Sequence, residues 1–452
     1  MRLTTFRDRL VEWWANAWRW VLMAAGAAIA VYLLLGQNTA NGIATAGALA
    51  GLVVAAALTG RVPLAIALMA VPALFIPQRA GLGGANLSVS DLALVAAFGA
   101  AILLGNRAYS RPVRQMLWLN IIYQFATLLT VIVVPYMANT VEWFHAWMLV
   151  SGALIVGWAL GRAGYARAAL LLVVAAGCVI AVGTIATGLP SYLRGGFIAV
   201  YPEFPLAMHK NFAGTAMAFA AVVAYVNPSW MKWSPAWARA SMWLLGIGIL
   251  MTQSRQALAG LIVAVVVVAL RPRTGGASHS RWALILVIPG IWLIVSMVLD
   301  QLAEDNEFNS VNERLEWLRA MYAFWKEAPV FGHGLRYWTQ GGWAAFQPPQ
   351  AEVEVLVSAG VVGLTAFLVM WIGMLIVLWR VDPVYGTLAF VAVLSRITQA
   401  QFDLFWSAAQ VSIPFVIAGI CLGAQALAER NRDAAVGASL TGRHARLSLR
   451  QP

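Results

Sequence analysis

"LMTQSRQALAGLIVAVVVVAL", residues 250–270, decides what kind of protein this is. After Arg255 comes an uncharged apolar run, 256–270, that reads as a membrane helix capped at one end by Ser254-Arg255. Runs of this kind recur along the whole chain. Of 452 residues 61% are apolar and only 11% charged, against about 25% charged in soluble domains. The chain is therefore expected to be an all-α, polytopic integral membrane protein. The runs measure roughly 14 to 21 residues, near the length that crosses about 30 Å of hydrocarbon as helix. A transmembrane barrel would show alternating segments of about ten residues instead.

Spans are expected near 20–35, 41–58, 62–77, 91–104, 116–134, 144–161, 168–187, 211–226, 239–252, 256–270, 282–299, 354–380, 385–397 and 407–427. These are fourteen; with the shortest set aside the count is about twelve, in the range 12–14. The start, "MRLTTFRDRLVEWWANAWRW", has no small-residue cleavage site after its apolar run and reads as a Trp-rich interfacial lead-in. Cys178 and Cys421 both lie inside apolar runs, which argues against a disulfide framework or a thiolate metal site. No phosphate-binding loop and no His-Glu-x-x-His pattern occurs, so ATP-driven transport and zinc hydrolysis have no motif. No cofactor and no metal are expected.

The net charge of +12 has to be sorted by side before it is read as nucleic-acid binding. With the N-terminus in the cytoplasm, the stretches 1–19, 59–61, 105–115, 161–167, 227–239, 271–281, 380–384 and 428–452 hold 21 of the 30 Lys and Arg. That matches the positive-inside rule, and no nucleic-acid partner is needed. The basic tail 428–452 reads as a partly disordered cytoplasmic anchor to anionic lipid. Nine cations fall outside: Arg79, Arg194, Lys210, Arg255, Arg314, Arg319, Lys326, Arg336 and Arg396. Snorkelling or loop solvation accounts for Arg79, Arg319 and Lys326. Arg194 and Arg255 sit at helix ends with no acidic neighbour within four positions. Their planar forks suit phosphate, which points to a pyrophosphate or another anionic headgroup.

The expected segments are 1–186 (helices), 187–211 (first outer loop), 211–299 (helices), 300–353 (large outer loop), 354–427 (helices) and 428–452 (tail). Residues 300–354 carry 13 of the chain's 48 charged side chains, far more than a connection needs. Within them, Ser310-x-x-Glu313 has the form of a capping box. Leu315, Leu318, Tyr322 and Trp325 follow at helical spacing, with Trp317, Met321 and Phe324 widening the face. Such a helix rests on the outer leaflet or caps the bundle. Pro329 ends it, and Gly332-His333-Gly334 permits a tight loop that brings His333 close to whatever lies beneath.

These features, in this order, resemble the O-antigen ligase and polymerase superfamily of bacterial envelope glycosyltransferases. "LRGGFIAVYPEFPLAMHKNFAGTAMA" (193–218) is similar to its first large periplasmic loop, where an Arg is followed by an Asn, here Asn211, opening the next helix. Ser254-Arg255 is similar to its Ser-Arg at a periplasmic helix junction. "NERLEWLRAMYAFWKEAPVFGHGL" (312–335) resembles its Arg-Leu helix followed by Pro-x-x-Gly-x-Gly. "QAEVEVLVSAGVVGL" (350–364) resembles the segment leading into Gly-x-x-Gly. The likeness covers roughly 187–380. The ligase pattern carries a His, then Asn, Ser or Gln, about eleven residues before Gly-x-x-Gly, where this chain has Pro349 and Gln350. Either His333 supplies the equivalent side chain, or the register differs, or the chemistry does without it.

The resemblance implies a GT-C-like fold in the bacterial inner membrane with its site on the periplasmic side. It implies an undecaprenyl-pyrophosphate-linked O-antigen as donor and, for a ligase, a sugar hydroxyl of lipid A–core as acceptor. Arg194 and Arg255 then hold the pyrophosphate, helped by Lys210 and Arg314. His333 is the first candidate for general base, His209 the second, Glu352 or Glu354 the third. Arg336, His209, Asn211, Gln350 and Glu354 complete the expected substrate contacts. Trp325, Tyr337, Trp338 and Trp343 either stack on sugar rings or anchor the interface. Within the class, an O-antigen polymerase or a protein O-oligosaccharyltransferase uses the same donor. Outside it, the rival is a lipid-linked glycan transporter, which would tend to show inverted repeats and mid-membrane charges.

Overall fold

A computed structural model describes residues 61–78, 88–104, 108–271, 310–339, 350–403 and 408–448, with isolated positions elsewhere. For 310–316 and 436–448 only the backbone course is described. The expected spans 20–35 and 282–299, and nearly all of 41–58, lie outside the described residues. No strand occurs among the described ones. The chain forms two compact units, Met1–Asn106 and Arg107–Pro452.

In the first unit α1 (Val62–Ala73) pairs with α2 (Val89–Leu103). Ser88 and Asp91 close a capping box that starts α2: the Asp91 amide donates to Ser88 Oγ at 3.2 Å and the Ser88 amide to Asp91 Oδ2 at 2.8 Å.

The second unit is a helix bundle. Its elements are α3 (Arg111–Val133), α4 (Met137–Trp147), α5 (Ala153–Arg162), α6 (Ala166–Leu193), α7 (Lys210–Val226), α8 (Pro235–Thr252), α9 (Arg255–Leu270), α10 (Ser310–Glu327), α11 (Ala351–Arg380), α12 (Pro383–Gln399) and α13 (Ala408–Ser448). A π-turn, Met148–Gly152, joins α4 to α5 without a break. Every expected span that falls on described residues is a helix. Five are long and apolar enough to cross a membrane by length and composition: Arg111–Val133, Met137–Arg162, Ala166–Leu193, Ala351–Arg380 and Gln410–Ala435. They carry exposed apolar side chains, such as Phe125 and Ile132 on α3, Val179 and Val182 on α6, and Ile372 on α11. A face of that kind suits lipid and not water.

Three of the boundaries that differ from the expected ones have a local cause. The span read as 144–161 begins at Met137, because Asn139 and Glu142, which lower its hydropathy, are buried against protein partners. α6 runs past 187 to Leu193, taking Pro190 into its last turn, so that Arg194 is its C-cap. The tail read as partly disordered continues α13 to Ser448. Ala, Arg and Glu favour helix there, and Gln425 Nε2 donates to Glu429 Oε1 one turn on at 2.9 Å.

α7 lies at the centre, buried over nearly its whole length between α6, α8, α9 and α12. The tightest pairing is α5 with α13. Gly157 and Gly161 face Gly419 and Gly423, two Gly-x-x-x-Gly pairs. A Cβ at any of the four would run into a carbonyl oxygen of the facing helix: Val416, Ile420, Leu154 or Trp158. Small residues let backbones approach where burial against lipid gives no drive to associate.

Candidate functional site

The site grows from a break in α11. Gly360 lies at φ 67°, ψ −169°, a conformation essentially confined to glycine, and it interrupts the helical ladder. In an unbroken helix the amides of Val361 and Val362 would donate to the carbonyls of Val357 and Ser358. Here they donate instead to Pro329 O (2.9 Å) and Val330 O (3.3 Å). The carbonyls they give up accept from the amides of His333 (3.0 Å) and Gly334 (2.9 Å). The loop that ends α10 is thus spliced into the ladder of α11 by four reciprocal bonds. A Cβ on Gly332 would strike Ser358 and Ala359, and one on Gly360 would strike Val330 and Phe331. Pro-x-x-Gly-x-Gly and Gly-x-x-Gly, 28 positions apart from Gly332 to Gly360, are one structural unit.

α10 docks on the first half of α11 through Met321, Phe324 and Trp325, against Val353, Val357, Tyr337 and Trp338. It packs through Trp325 of the expected central series and through Met321 and Phe324, which widen that face. Leu318 and Tyr322, placed at the centre of that face, stay exposed, because α11 covers only the adjoining strip. The Lys326 ammonium sits 4.5 Å from the Tyr322 ring centroid. The side chain of Arg314 lies outside the described residues.

His333 packs its ring beside Phe324 and Tyr337 and bonds through Nε2 to Phe324 O at 2.8 Å. A carbonyl only accepts, so Nε2 carries the proton and Nδ1 keeps the lone pair of the neutral ring. The loop is also tied to α4. The Leu335 amide donates to Asn139 Oδ1 at 2.7 Å, and Arg336 pairs with Glu142, which His145 Nδ1 approaches at 3.3 Å. Arg336, expected among the substrate contacts, helps hold the loop on α4.

A second group of residues gathers where helix ends converge. Lys210 and Asn211 open α7, and Arg255 and Gln256 open α9. Burial, and then the charge of Arg255, hold the Lys210 ammonium below its ordinary value. The two cations therefore share one neighbourhood, at two helix N-termini whose dipoles add to the positive potential. Gln256 Nε2 reaches Thr215 Oγ1 (3.1 Å), Asn211 O (3.4 Å) and Asp403 Oδ2 (2.6 Å). His209 is the N-cap of α7, its Nδ1 accepting from the Asn211 amide at 3.3 Å. Arg194 is exposed, and its Nε donates to Pro190 O at 2.9 Å. The loop after it is bonded to the turn that precedes Arg255: Gln253 Nε2 donates to Phe197 O (3.1 Å) and the Val200 amide to Met251 O (3.0 Å).

Beneath this end lies a charge that the sequence reading counted but gave no role. Arg396, near the end of α12, is 0% exposed. It donates to Gln410 Oε1 on α13 at 3.3 Å, and the carboxylates of Asp403 and Glu354 act on it electrostatically. Asp403 in turn holds Gln256, so Arg396 is linked through one carboxylate to the residue beside Arg255. Glu354, also buried, belongs to this network, which is its place in the structure. The Ala351 amide donates to Ala400 O at 3.0 Å, and Gln401 Nε2 to Glu352 Oε1 at 2.7 Å, fastening the start of α11 to the end of α12. Gln350 is the N-cap of α11 and makes no side-chain cap bond there. The signal was present in "SRITQAQFD" (395–403), a polar stripe closing an apolar helix, because an ionisable residue in a span marks a site by default.

Among the described residues, no three His, Cys, Asp or Glu side chains group so as to hold a metal ion. What the arrangement offers is positive charge at two helix N-termini, Lys210 and Arg255, with Asp403 and Arg396 beneath. No curated protein matches the chain. Residues 240–368, which contain Arg255, α10, the Gly-His-Gly loop and the Gly360 break, match the family model described as O-antigen ligase.

Proposed function

We propose that the protein is a multi-pass membrane glycosyltransferase that moves a glycan from undecaprenyl pyrophosphate to a sugar hydroxyl of lipid A–core, at the periplasmic face of a bacterial inner membrane. About twelve helices cross the membrane in this reading. The observation that carries it is the pairing of Lys210 with Arg255 at two converging helix N-termini, inside a chain whose centre matches the O-antigen ligase model. In the reaction the acceptor oxygen forms a bond to the anomeric carbon of the donor. The bond from that carbon to the pyrophosphate oxygen breaks, and its electron pair leaves with the lipid pyrophosphate. Arg255, Lys210 and Arg194 stabilise the charge that develops there, which is worth most in a water-poor site. Arg314 helps from α10.

The acceptor proton goes to a base. His333 takes that role through Nδ1, with the Nε2 bond to Phe324 O fixing the ring. His209 already uses Nδ1 as a helix cap, which supports ranking it second. Glu354 faces Arg396, which occupies it. Gathering the polar groups at one end of the bundle suits chemistry at a surface better than passage through it.

The test is turnover by purified variants that remain folded in the membrane. Arg255→Ala and Arg194→Ala each lose transfer by about 100-fold or more, the scale of removing one charge-stabilising group. His333→Ala loses about 100-fold with its pH profile altered. Full activity in both arginine variants removes the pyrophosphate role. Unchanged turnover in His333→Ala removes it as base.

A further inference from the structure

A cavity of about 320 Å³ opens at the far end of α11 from the Gly360 break, where that helix meets the start of α3 and the flank of α13. Arg111, Gln115, Arg380, Asp382 and Gln425 supply its polar lining, and Val377 and Val381 are among its apolar walls. Arg111 and Arg380 are exposed, and neither makes an ion pair among the described residues. The one carboxylate is already engaged. Asp382 Oδ1 caps α12 by accepting from the Val384 amide at 2.9 Å. It also feels the charge of Arg271, whose guanidinium donates to Trp379 O (2.8 Å) and Val381 O (3.2 Å). The cavity therefore presents two unanswered guanidinium forks and the Gln115 amide around an apolar floor, beside Gln425, which donates to Glu429.

We propose that this cavity holds the phosphodiester headgroup of an anionic glycerophospholipid. Arginine forks match phosphate oxygens two at a time, and the Gln115 amide can donate to the same group. An apolar lane leads away from the cavity. Trp118 and Ile122 follow Arg111 and Gln115 at helical spacing on α3, and Ile376 and Ile372 precede Arg380 on α11; all four are exposed. A soluble phosphate would leave that lane uncovered, while the acyl chains of a lipid would lie along it. The end of the bundle agrees. Residues 105–115 and 380–384 are among the stretches that the charge distribution assigns to the cytoplasm, where anionic headgroups attract basic pockets between helices. The inference is independent of the transfer chemistry, because it concerns the opposite end of α3 and α11.

The experiment uses the purified full chain in phosphatidylcholine nanodiscs, with thermal unfolding followed as phosphatidylglycerol is titrated in. Specific binding to the native state raises the midpoint by about 4 °C or more at saturation. Arg111→Gln/Arg380→Gln, a pair of exposed positions, removes most of that rise, while Arg430→Gln/Arg432→Gln on the exposed part of α13 retains it. The proposal is overturned by any of four results. These are no rise in the parent protein, a full rise kept in the Arg111/Arg380 variant, an equal rise from phosphatidylethanolamine, or an equal rise from inorganic phosphate or glycerol phosphate added to phosphatidylcholine discs.

Discussion

Lys210 and Arg396 show two ways in which this chain keeps a cation in an unfavourable place. Lys210 is partly buried beside another cation, and its depressed pKa has a sign that can be followed. The unfolded chain holds the proton up to the ordinary lysine range, whereas the folded chain gives it up earlier. The cost of the charged form is therefore borne at pH values below the folded pKa. It is relieved as pH rises from there toward the ordinary lysine value, so stability rises with pH across that window. Donor binding responds in the opposite sense, because a neutral Lys210 no longer attracts pyrophosphate. Donor KM, measured against pH, rises below the ordinary lysine range, and Lys210→Arg flattens that limb. A KM that is level with pH in the parent protein argues against Lys210 as a donor ligand. Arg396 is a buried ion answered by carboxylates, and removing one partner leaves the others exposed to the same low dielectric. Arg396→Gln destabilises by about 3–5 kcal/mol. Adding Asp403→Asn recovers part of the unfolding midpoint in detergent without restoring turnover, because the link to Gln256 and Arg255 stays slack.

At the scale of elements, the splice between the Gly-His-Gly loop and α11 is the feature on which His333 depends. Gly360→Ala meets a backbone conformation that costs about 1–3 kcal/mol for a side chain, and its Cβ meets the Val330 carbonyl. The loop then leaves the ladder. Protease cleavage within 329–334 increases, and transfer falls in step. A protected loop and full transfer in that variant would show that the splice is dispensable. Much at this scale was legible from the chain. The helix after Ser254, the stop at Pro329, and the use of a glycine loop to bring His333 close all follow from local composition. What stayed hidden depends on partners distant in sequence. Nothing near Gly332 says that its loop will complete the hydrogen bonds of a helix starting at Ala351. Nothing near Gln256 names Asp403, 147 positions on. The apolar face of α10 was centred on Leu315, Leu318, Tyr322 and Trp325, yet of these Trp325 packs, together with the flanking Met321 and Phe324, while Leu318 and Tyr322 stay exposed, because periodicity marks an apolar side but not the width of what covers it.

For the whole molecule, the two ends of the bundle carry different charge arrangements. One end, with the first turns of α7, α9 and α11 and the last turn of α12, layers Lys210 and Arg255 over a buried Arg396 network. The other, around Arg111 and Arg380, has its cations at the surface beside an apolar lane. The distribution of charge along the sequence assigned sides to these ends, and hydropathy located the described helices to within a turn or two. The buried polar layer escaped that treatment because Gln256, Gln399 and Gln410 carry no charge to sort and each is averaged into an otherwise apolar window. The account rests most directly on the reaction itself. Purified protein, given a radiolabelled glycan on undecaprenyl pyrophosphate and lipid A–core as acceptor, with and without EDTA, is predicted to yield labelled lipid A–core at equal rates in both. Arg255→Ala is predicted to abolish the transfer. Absence of labelled lipid A–core, or transfer that proceeds undiminished in Arg255→Ala, would contradict the account.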